Sequence, residues 1–323
     1  MKREHIYKIL EVNILSKNIT YNIKYCVGLL FLLCSTLAVG QRQRNQNDWV
    51  NDGLHGKVKS IVIKEYFITN DTAQQGELLE YAVKNYNERG YLTEIKEFNG
   101  DGTMSQRQVF VYSKKKQEEL LYDEEGNLKE KTLTKLNIME KPTQSIVVDA
   151  RGKLQGKTTY QYDEKDRLIK QCGYNAKGKL SEKHYATYEK DVLCQLLTFS
   201  EFANKKILYK FDIHRNPIEM MVYDSRTKVF LEKITQKFDE NKNLIEKKSW
   251  DEKNTLKSSD CYKYDEKGNV LEQLLFDADM DFHGIYFYVY QYDRNNNWTS
   301  QTLYEGAEKQ AEIRIERIIE YYE

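Results

Sequence analysis

The sequence predicts an all-β protein, an extended, twisted antiparallel meander of tandem β-hairpin repeats. Three observations carry this. Tyr is abundant, with 25 residues against 12 Phe and 3 Trp, and Tyr suits half-buried sheet faces. A short pattern recurs along the chain: an aromatic, Asp or Asn, two variable residues, Gly or a substitute, one more residue, then an aliphatic. Most copies fall at even intervals, 12 or 14 residues in the main, a spacing that matters to a strand of period two and not to a helix.

Residues 1–40 come first. The uncharged stretch 26–40, CVGLLFLLCSTLAVG, follows Lys24 and ends on small residues at Ala38 and Gly40. A cationic flank, a short apolar run and small residues at the exit are the marks of an export signal cut before Gln41. Three fates stay open: cleavage, retention as an anchor, or lipid attachment at Cys34, where Leu33 departs from the small residue expected. Residues 41–52 read as a polar leader, and 53–323 as the hairpin-repeat domain.

The whole chain of 323 residues has 50 basic and 50 acidic side chains. Removing residues 1–40 takes away five basic residues (Lys2, Arg3, Lys8, Lys17, Lys24) and two acidic ones (Glu4, Glu11), leaving a net charge of −3. No basic excess exists to neutralise phosphates, which argues against nucleic-acid binding. A mean hydropathy of −0.76 excludes a multi-span helical membrane protein. Cys172, Cys194 and Cys261 remain after the signal; their spacing fits no metal pattern, and buried, reduced thiols are expected.

The clearest copies of the repeat are YNERGYL at 86, YDEEGNL at 122, YDEKDRL at 162, YNAKGKL at 174, FDIHRNPI at 211, FDENKNL at 238, WDEKNTL at 250, YDEKGNV at 264 and YDRNNNW at 292. In YDEKGNV, Asp265 caps a type I turn and Gly268 takes the positive-φ place of a G1 bulge, with Asn241, Asn254 and Asn296 as the substitutes elsewhere. Asp265 then pairs with Asn269, and Tyr264 lies opposite Val270. Even intervals are expected to keep every such aromatic on one sheet face. The odd intervals 188–199 and 223–238 predict remodelled turns. Charges two residues after the aliphatic (Glu94, Glu130, Lys170, Glu182, Glu246, Glu272) share that face in this reading, so neither face is purely a core. About 17 strands side by side are expected. The segment from Gly53 reads as a turn and first strand, and the tail from Glu312 as a strand that caps an exposed edge.

These tandem YDEKGN-type turns, the opening GLHGKVKSIVIKEY, the closing YDRNNNW and the final IEYY resemble short secreted members of the bacterial tyrosine–aspartate (YD, or RHS-type) repeat proteins. The resemblance covers residues 53–323. It implies hairpin architecture and export, and almost nothing about a ligand. Large members form a spiral shell; this chain is expected to be too short to close one.

No catalytic, cofactor-binding or metal-binding residue stands out, and no cofactor is implied. GYNAKGKL from Gly173 approaches a phosphate loop, but Leu180 replaces the required hydroxyl. DADMDFHG from Asp277 begins like a calcium loop, but Phe282 and Tyr288 replace the turn Gly and the final Glu. His184, His214 and His283 fall in separate repeats. Asp71-Thr72-Ala73 matches a short O-glycosylation signal. The functional expectation is an exported, non-enzymatic protein of the periplasm, the outer-membrane surface or the medium. It would present a sheet surface to an envelope protein or polysaccharide, touching membrane only through its signal segment or a lipid anchor. The alternatives are carbohydrate binding through Trp250 and Trp298, or a purely structural envelope component.

Overall fold

The computed structural model describes residues 47–68, 76–201, 203–308 and 310–323. The export signal and the Asp71-Thr72-Ala73 motif lie outside them. A four-residue helix, α1 (Asp48–Asn51), precedes twenty strands. These are β1 (Val58–Phe67), β2 (Glu77–Tyr86), β3 (Leu92–Asn99), β4 (Met104–Tyr112), β5 (Lys116–Tyr122), β6 (Leu128–Leu136), β7 (Pro142–Asp149), β8 (Leu154–Tyr162), β9 (Leu168–Asn175) and β10 (Leu180–Glu189). They continue as β11 (Val192–Ser200), β12 (Lys205–Phe211), β13 (Pro217–Asp224), β14 (Phe230–Phe238), β15 (Leu244–Trp250), β16 (Leu256–Tyr264), β17 (Val270–Phe276), β18 (Phe282–Tyr292), β19 (Trp298–Glu305) and β20 (Gln310–Tyr321).

Every strand pairs antiparallel with the next, as the meander predicts. The ends do not stay open. β20 pairs with β1 over nine rungs, from Val58–Tyr321 to Phe67–Ile313, and closes the sheet into a barrel. Three expectations are corrected here: the extended, open meander is a closed ring, the strands number twenty rather than about 17, and the tail from Glu312 seals the ring instead of capping an edge. Closure removes both edges at once, the most complete protection against edge-to-edge pairing. Twenty strands at about 4.8 Å make roughly 100 Å of wall, too wide for side chains to fill as they do in an eight-stranded barrel.

The turns follow the predicted chemistry. Asp265 N–H donates to Asn269 O, and Asp265 Oδ1 accepts from the N–H groups of Lys267 and Asn269 at 2.9 and 2.7 Å. Gly268 has φ 76°. Aspartates 123, 149, 163, 212, 251, 277 and 293 cap their turns in the same way, so the calcium-like Asp277 is a turn cap. In FDENKNL the positive-φ residue is Lys242, at 66°, and not Asn241; counting from the Asp, Lys242 holds the fourth place that Gly268 holds. The odd interval after Tyr188 becomes a tight two-residue turn with Lys190 and Asp191 both at positive φ. The interval after Tyr223 becomes a longer loop closed by Asp224 N–H on Val229 O.

A second bulge follows almost every turn. Tyr264 opposes Val270, but Lys263 opposes Glu272, so Leu271 is the extra residue. The same slip occurs at Tyr86/Leu92, Tyr162/Leu168, Phe238/Leu244 and Trp250/Leu256. This bulge turns the charge to the opposite face from the aromatic, correcting the expectation that they share one. It also alternates the aromatics. Those at the rim where α1 lies (Tyr86, Tyr112, Tyr162, Tyr188, Tyr264, Tyr292) sit on one face. Those at the far rim (Phe98, Tyr122, Tyr174, Trp250, Phe276, Tyr304) sit on the other. The structural unit is therefore two strands with their two turns, about 26 residues, used ten times around the ring.

Side chains converge inside a ring and diverge outside it, which identifies the faces. The buried residues Ile61, Ile63, Tyr86, Leu196, Tyr209, Val222, Tyr286, Tyr288, Leu303 and Ile313 share one register face, the inner one. The outer face carries cross-strand ion pairs near the α1 rim: Arg107–Glu94, Lys210–Glu219, Lys237–Glu246 and Lys263–Glu272, at 2.6 to 2.8 Å. Cys172, Cys194 and Cys261 are free thiols.

Residues 47–52, the end of the polar leader 41–52, pack on the barrel. Asn47 caps α1, and Asp48 N–H donates to Gly90 O. A Cβ on Gly90 would lie 2.4 Å from Asn47 Nδ2, so only Gly lets the helix sit on this turn. Asp52 accepts from Lys84 Nζ at 2.8 Å and from Tyr86 Oη at 2.5 Å. Trp49 and Leu54 pack against the inner cluster of Val58, Ile61, Tyr86 and Ile313. The N-terminal segment thus seals one arc of the barrel mouth.

Candidate functional site: the inner wall of the barrel

The inner wall divides into a dry arc and a wet arc. Over β18–β20 and β1–β2, apolar residues and Tyr line the inside and are buried. A second apolar cluster, Leu168, Leu196, Ile207, Tyr209, Met220 and Val222, lines β9 and β11–β13. Between them, β3–β6 contain no buried residue. Register places Glu97, Gln106, Gln108, Glu119, Glu130, Thr132 and Thr134 on their inner face, interleaved with Leu92, Ile95, Phe110, Tyr112 and Leu121.

Carboxylates gather where the arcs meet. Glu65 and Glu80 are direct cross-strand partners, and Ala82, two residues on from Glu80, faces Glu97. Burial, reinforced by the charge of Glu80, pushes Glu65 up to about 7. Burial also raises Glu80. Glu80 is nevertheless open to solvent, as befits a group on the concave side of a hydrated wall. Burial raises Glu97 despite the 2.5 Å hydrogen bond it accepts from Gln106 Nε2. Glu119 is raised by burial and then by Glu130. Like charges directly opposed in a sheet repel, so this wall favours bound protons or an incoming cationic or hydrogen-bonding group.

The rim beside α1 is tied together by tyrosine hydroxyls. Each reaches back to the carbonyl just after the preceding same-rim turn: Tyr112 to Leu92, Tyr162 to Pro142, Tyr188 to Leu168 and Tyr264 to Leu244, at 2.6 to 2.9 Å. Across the seam Tyr322 donates to the carbonyl of Tyr86, at the end of β2, at 2.6 Å. Tyr292 and Tyr321 donate instead to the turn caps Asp265 and Asp293. Burial pushes the Tyr264 hydroxyl up to about 12, keeping it a donor throughout the physiological range. The constant 20-residue step from acceptor to Tyr was present in the sequence, but without the ring it has no meaning.

The tryptophans weighed for sugar stacking do not come together. Trp250 lies on the outer face under Lys233, 4.8 Å from the ring centroid, and opposes Leu256. Trp298 lies on the inner face under the Arg317 guanidinium, 3.4 Å away, and opposes Tyr292. Both are cross-hairpin partners whose ring faces are already used. His184 is buried in β10, whereas His214 and His283 are exposed at the α1 rim and the far rim. Among the described residues, no three of His, Cys, Asp and Glu come together as a metal cluster.

No family model matches the chain, and no curated protein matches it. Solved structures give distant similarities. A porin-like protein from Bacteroides uniformis ATCC 8492 is 14% identical over 81% of this chain and 98% of its own, with a TM-score of 0.38. A porin-like protein from Bacteroides vulgatus ATCC 8482 is 11% identical over 80% and 97%, with a TM-score of 0.29. TcdB2-TccC3 without its hypervariable C-terminal region is 12% identical over 77% of this chain and 15% of its own, at 0.26. At such scores the fold rests on the strand pairing itself.

Proposed function

We propose that this chain is an exported, non-enzymatic barrel of the cell envelope, built from YD-type hairpins, that binds an envelope protein or polysaccharide on the hydrated arc of its inner wall. The observation that carries the reading is the inner face of β3–β6. Glu97, Gln106, Gln108, Glu130, Thr132 and Thr134 stand there among Leu92, Ile95, Phe110, Tyr112 and Leu121, none of them fully buried. Hydrogen-bonding ends thus alternate with apolar and aromatic side chains on one edge-free wall. Binding sites of this kind recur in the mouths and interiors of barrels.

The outer wall favours a barrel that stands in water. A membrane barrel turns an apolar band about 25 Å tall to lipid, and a Lys or Arg at its midplane costs about 2–4 kcal/mol. Here the outer face carries the ion pairs above together with Lys96, Lys157, Lys183 and Lys206. Membrane contact in this reading runs through residues 1–40, as a signal, an anchor or a lipid-bearing segment.

Photo-crosslinking in the native host tests this, with the probe placed at Gln108 on the inner wall or at Lys183 on the outer wall. Adducts to one envelope protein or to glycan from position 108, and few from 183, are expected. Self-adducts alone from both positions overturn the proposal in favour of a structural component.

A further inference from the structure

Gln171, His184 and Thr198 occupy consecutive rungs of β9, β10 and β11: His184 opposes Gln171 on one side and Thr198 on the other. All three are inner-face residues, 6%, 1% and 0% exposed. Thr198 Oγ1 lies 3.1 Å from His184 Nδ1 and fixes the ring plane. The far nitrogen, Nε2, and the Gln171 amide oxygen both lack a hydrogen-bond partner within the protein. An unmatched buried polar atom costs about 1–3 kcal/mol, so two on facing residues call for an explanation. Glu182 stands two residues before His184 on the same face, with its Oε2 3.8 Å from Nε2. That is too long for a hydrogen bond. Its cross-strand neighbour is Gly173, which brings no side chain to crowd the carboxylate.

We propose that His184 Nε2, the Glu182 carboxylate and Gln171 Oε1 bind a divalent transition-metal ion of the zinc type, with water completing the coordination. Imidazole, carboxylate and amide oxygen form a borderline donor set that suits zinc better than calcium or magnesium. Two of the donors stand at i and i+2 on one strand and the third on the facing rung, so all three lie on one face of the sheet at neighbouring positions. Two ligands each about 2.0–2.1 Å from a tetrahedral ion lie about 3.3 Å apart, so a small rotation of Glu182 from its 3.8 Å spacing reaches that geometry. Thr198 supplies the outer-sphere contact that such histidines use to fix their orientation. Glu182 is 37% exposed, which leaves the ion a path from the barrel interior.

The test strips the full chain with a chelator and titrates it with Zn²⁺ by calorimetry and with Co²⁺ by visible absorption. One ion per chain is expected. Glu182→Gln and His184→Gln are each expected to weaken binding about 10-fold or more, while His214→Gln and His283→Gln leave it unchanged. Because Glu182 is partly exposed, its variant keeps the test decisive even if His184→Gln unfolds. No saturable uptake by the wild-type chain overturns the proposal, as does unaltered binding by Glu182→Gln.

Discussion

The arc of β18–β20 with β1–β2 and the arc of β3–β6 are built on one plan, yet one is dry and the other wet. Both have capped Asp or Asn turns, the post-turn bulge and the tyrosine rim. They differ in what the inner register positions carry. The dry arc presents Ile61, Ile63, Ile313, Ile315 and Leu303, covered at one end by Trp49 and Leu54. The wet arc mixes Glu97, Gln106, Gln108, Thr132 and Thr134 with Ile95, Phe110 and Leu121, and none of these is fully buried. Turn chemistry and ladder pairing are thus sufficient to build wall, and inner-face composition decides independently whether that wall becomes core or surface. The seam between β20 and β1 joins residues 246 to 263 apart in sequence, so its closure carries a large loop-entropy cost. Placing the dry arc at the seam puts the strongest burial where that cost falls.

The largest effect expected from this contrast lies in paired truncations. Ile313→Ala removes a fully buried side chain from the dry arc and should cost about 2–5 kcal/mol. Gln108→Ala at an inner position of the wet arc should change stability by no more than about 0.5 kcal/mol. Urea unfolding of both variants measures the difference, and equal losses would show that the arcs are energetically alike.

Glu65 sharpens the boundary through pH. Its native carboxyl titrates at about 7, above its ordinary value of 4.5. The folded state therefore holds a proton that the unfolded state releases between those limits, and this group's contribution to stability falls as pH rises through that window. Glu65→Gln fixes the neutral form. It should raise the melting temperature above pH 7, by an amount corresponding to about 1–3 kcal/mol, and change it little below about pH 4. A gain independent of pH would mean that the carboxylate is not held in a desolvated place.

The hairpins, their spacing, the Asp caps and the two irregular turns were all legible in residues such as Asp265, Gly268 and Tyr264, because turn chemistry is local. Closure was not, because it depends on Ile313 and Ile319 finding Phe67 and Ile61 across almost the entire chain. Leu271 hid the second bulge: nothing in its type separates an extra residue from an ordinary strand residue, and missing it put Tyr264 and Glu272 on one face. Of the candidate site, the residues were visible and their gathering was not. Glu65, Glu80, Glu97 and Glu119 belong to different hairpins, and only the register brings three of them onto neighbouring rungs. His184 drew notice as an isolated histidine. Its facing partners Gln171 and Thr198 carry no signal of their own.

The smallest effect concerns the rim, and its meaning differs between the arcs. Tyr112 and Tyr322 both donate to a carbonyl of the neighbouring hairpin, Tyr112 in the wet arc and Tyr322 at the dry seam. Changing either to Phe leaves a ring of nearly the same shape, so each loses about 0.5–1.5 kcal/mol for one hydrogen bond. In the dry arc the packed interior holds β1, β2 and β20 together regardless, and the loss should register only in global unfolding. In the wet arc no buried side chain backs β3–β6. There β4 is held to β3 by the ladder, the Arg107–Glu94 ion pair, the Gln106–Glu97 hydrogen bond and the Tyr112 hydroxyl, without a packed interior behind them. Removing that hydroxyl should release β3–β5 as a local opening unit. Amide hydrogen exchange separates the two results: Tyr112→Phe should speed exchange in β3–β5 by about 2- to 12-fold while leaving β18–β20 unchanged, and Tyr322→Phe should show no such local effect. Uniform acceleration across both arcs in Tyr112→Phe would mean that the barrel opens only as a whole, with the wet wall as cooperative as the dry one.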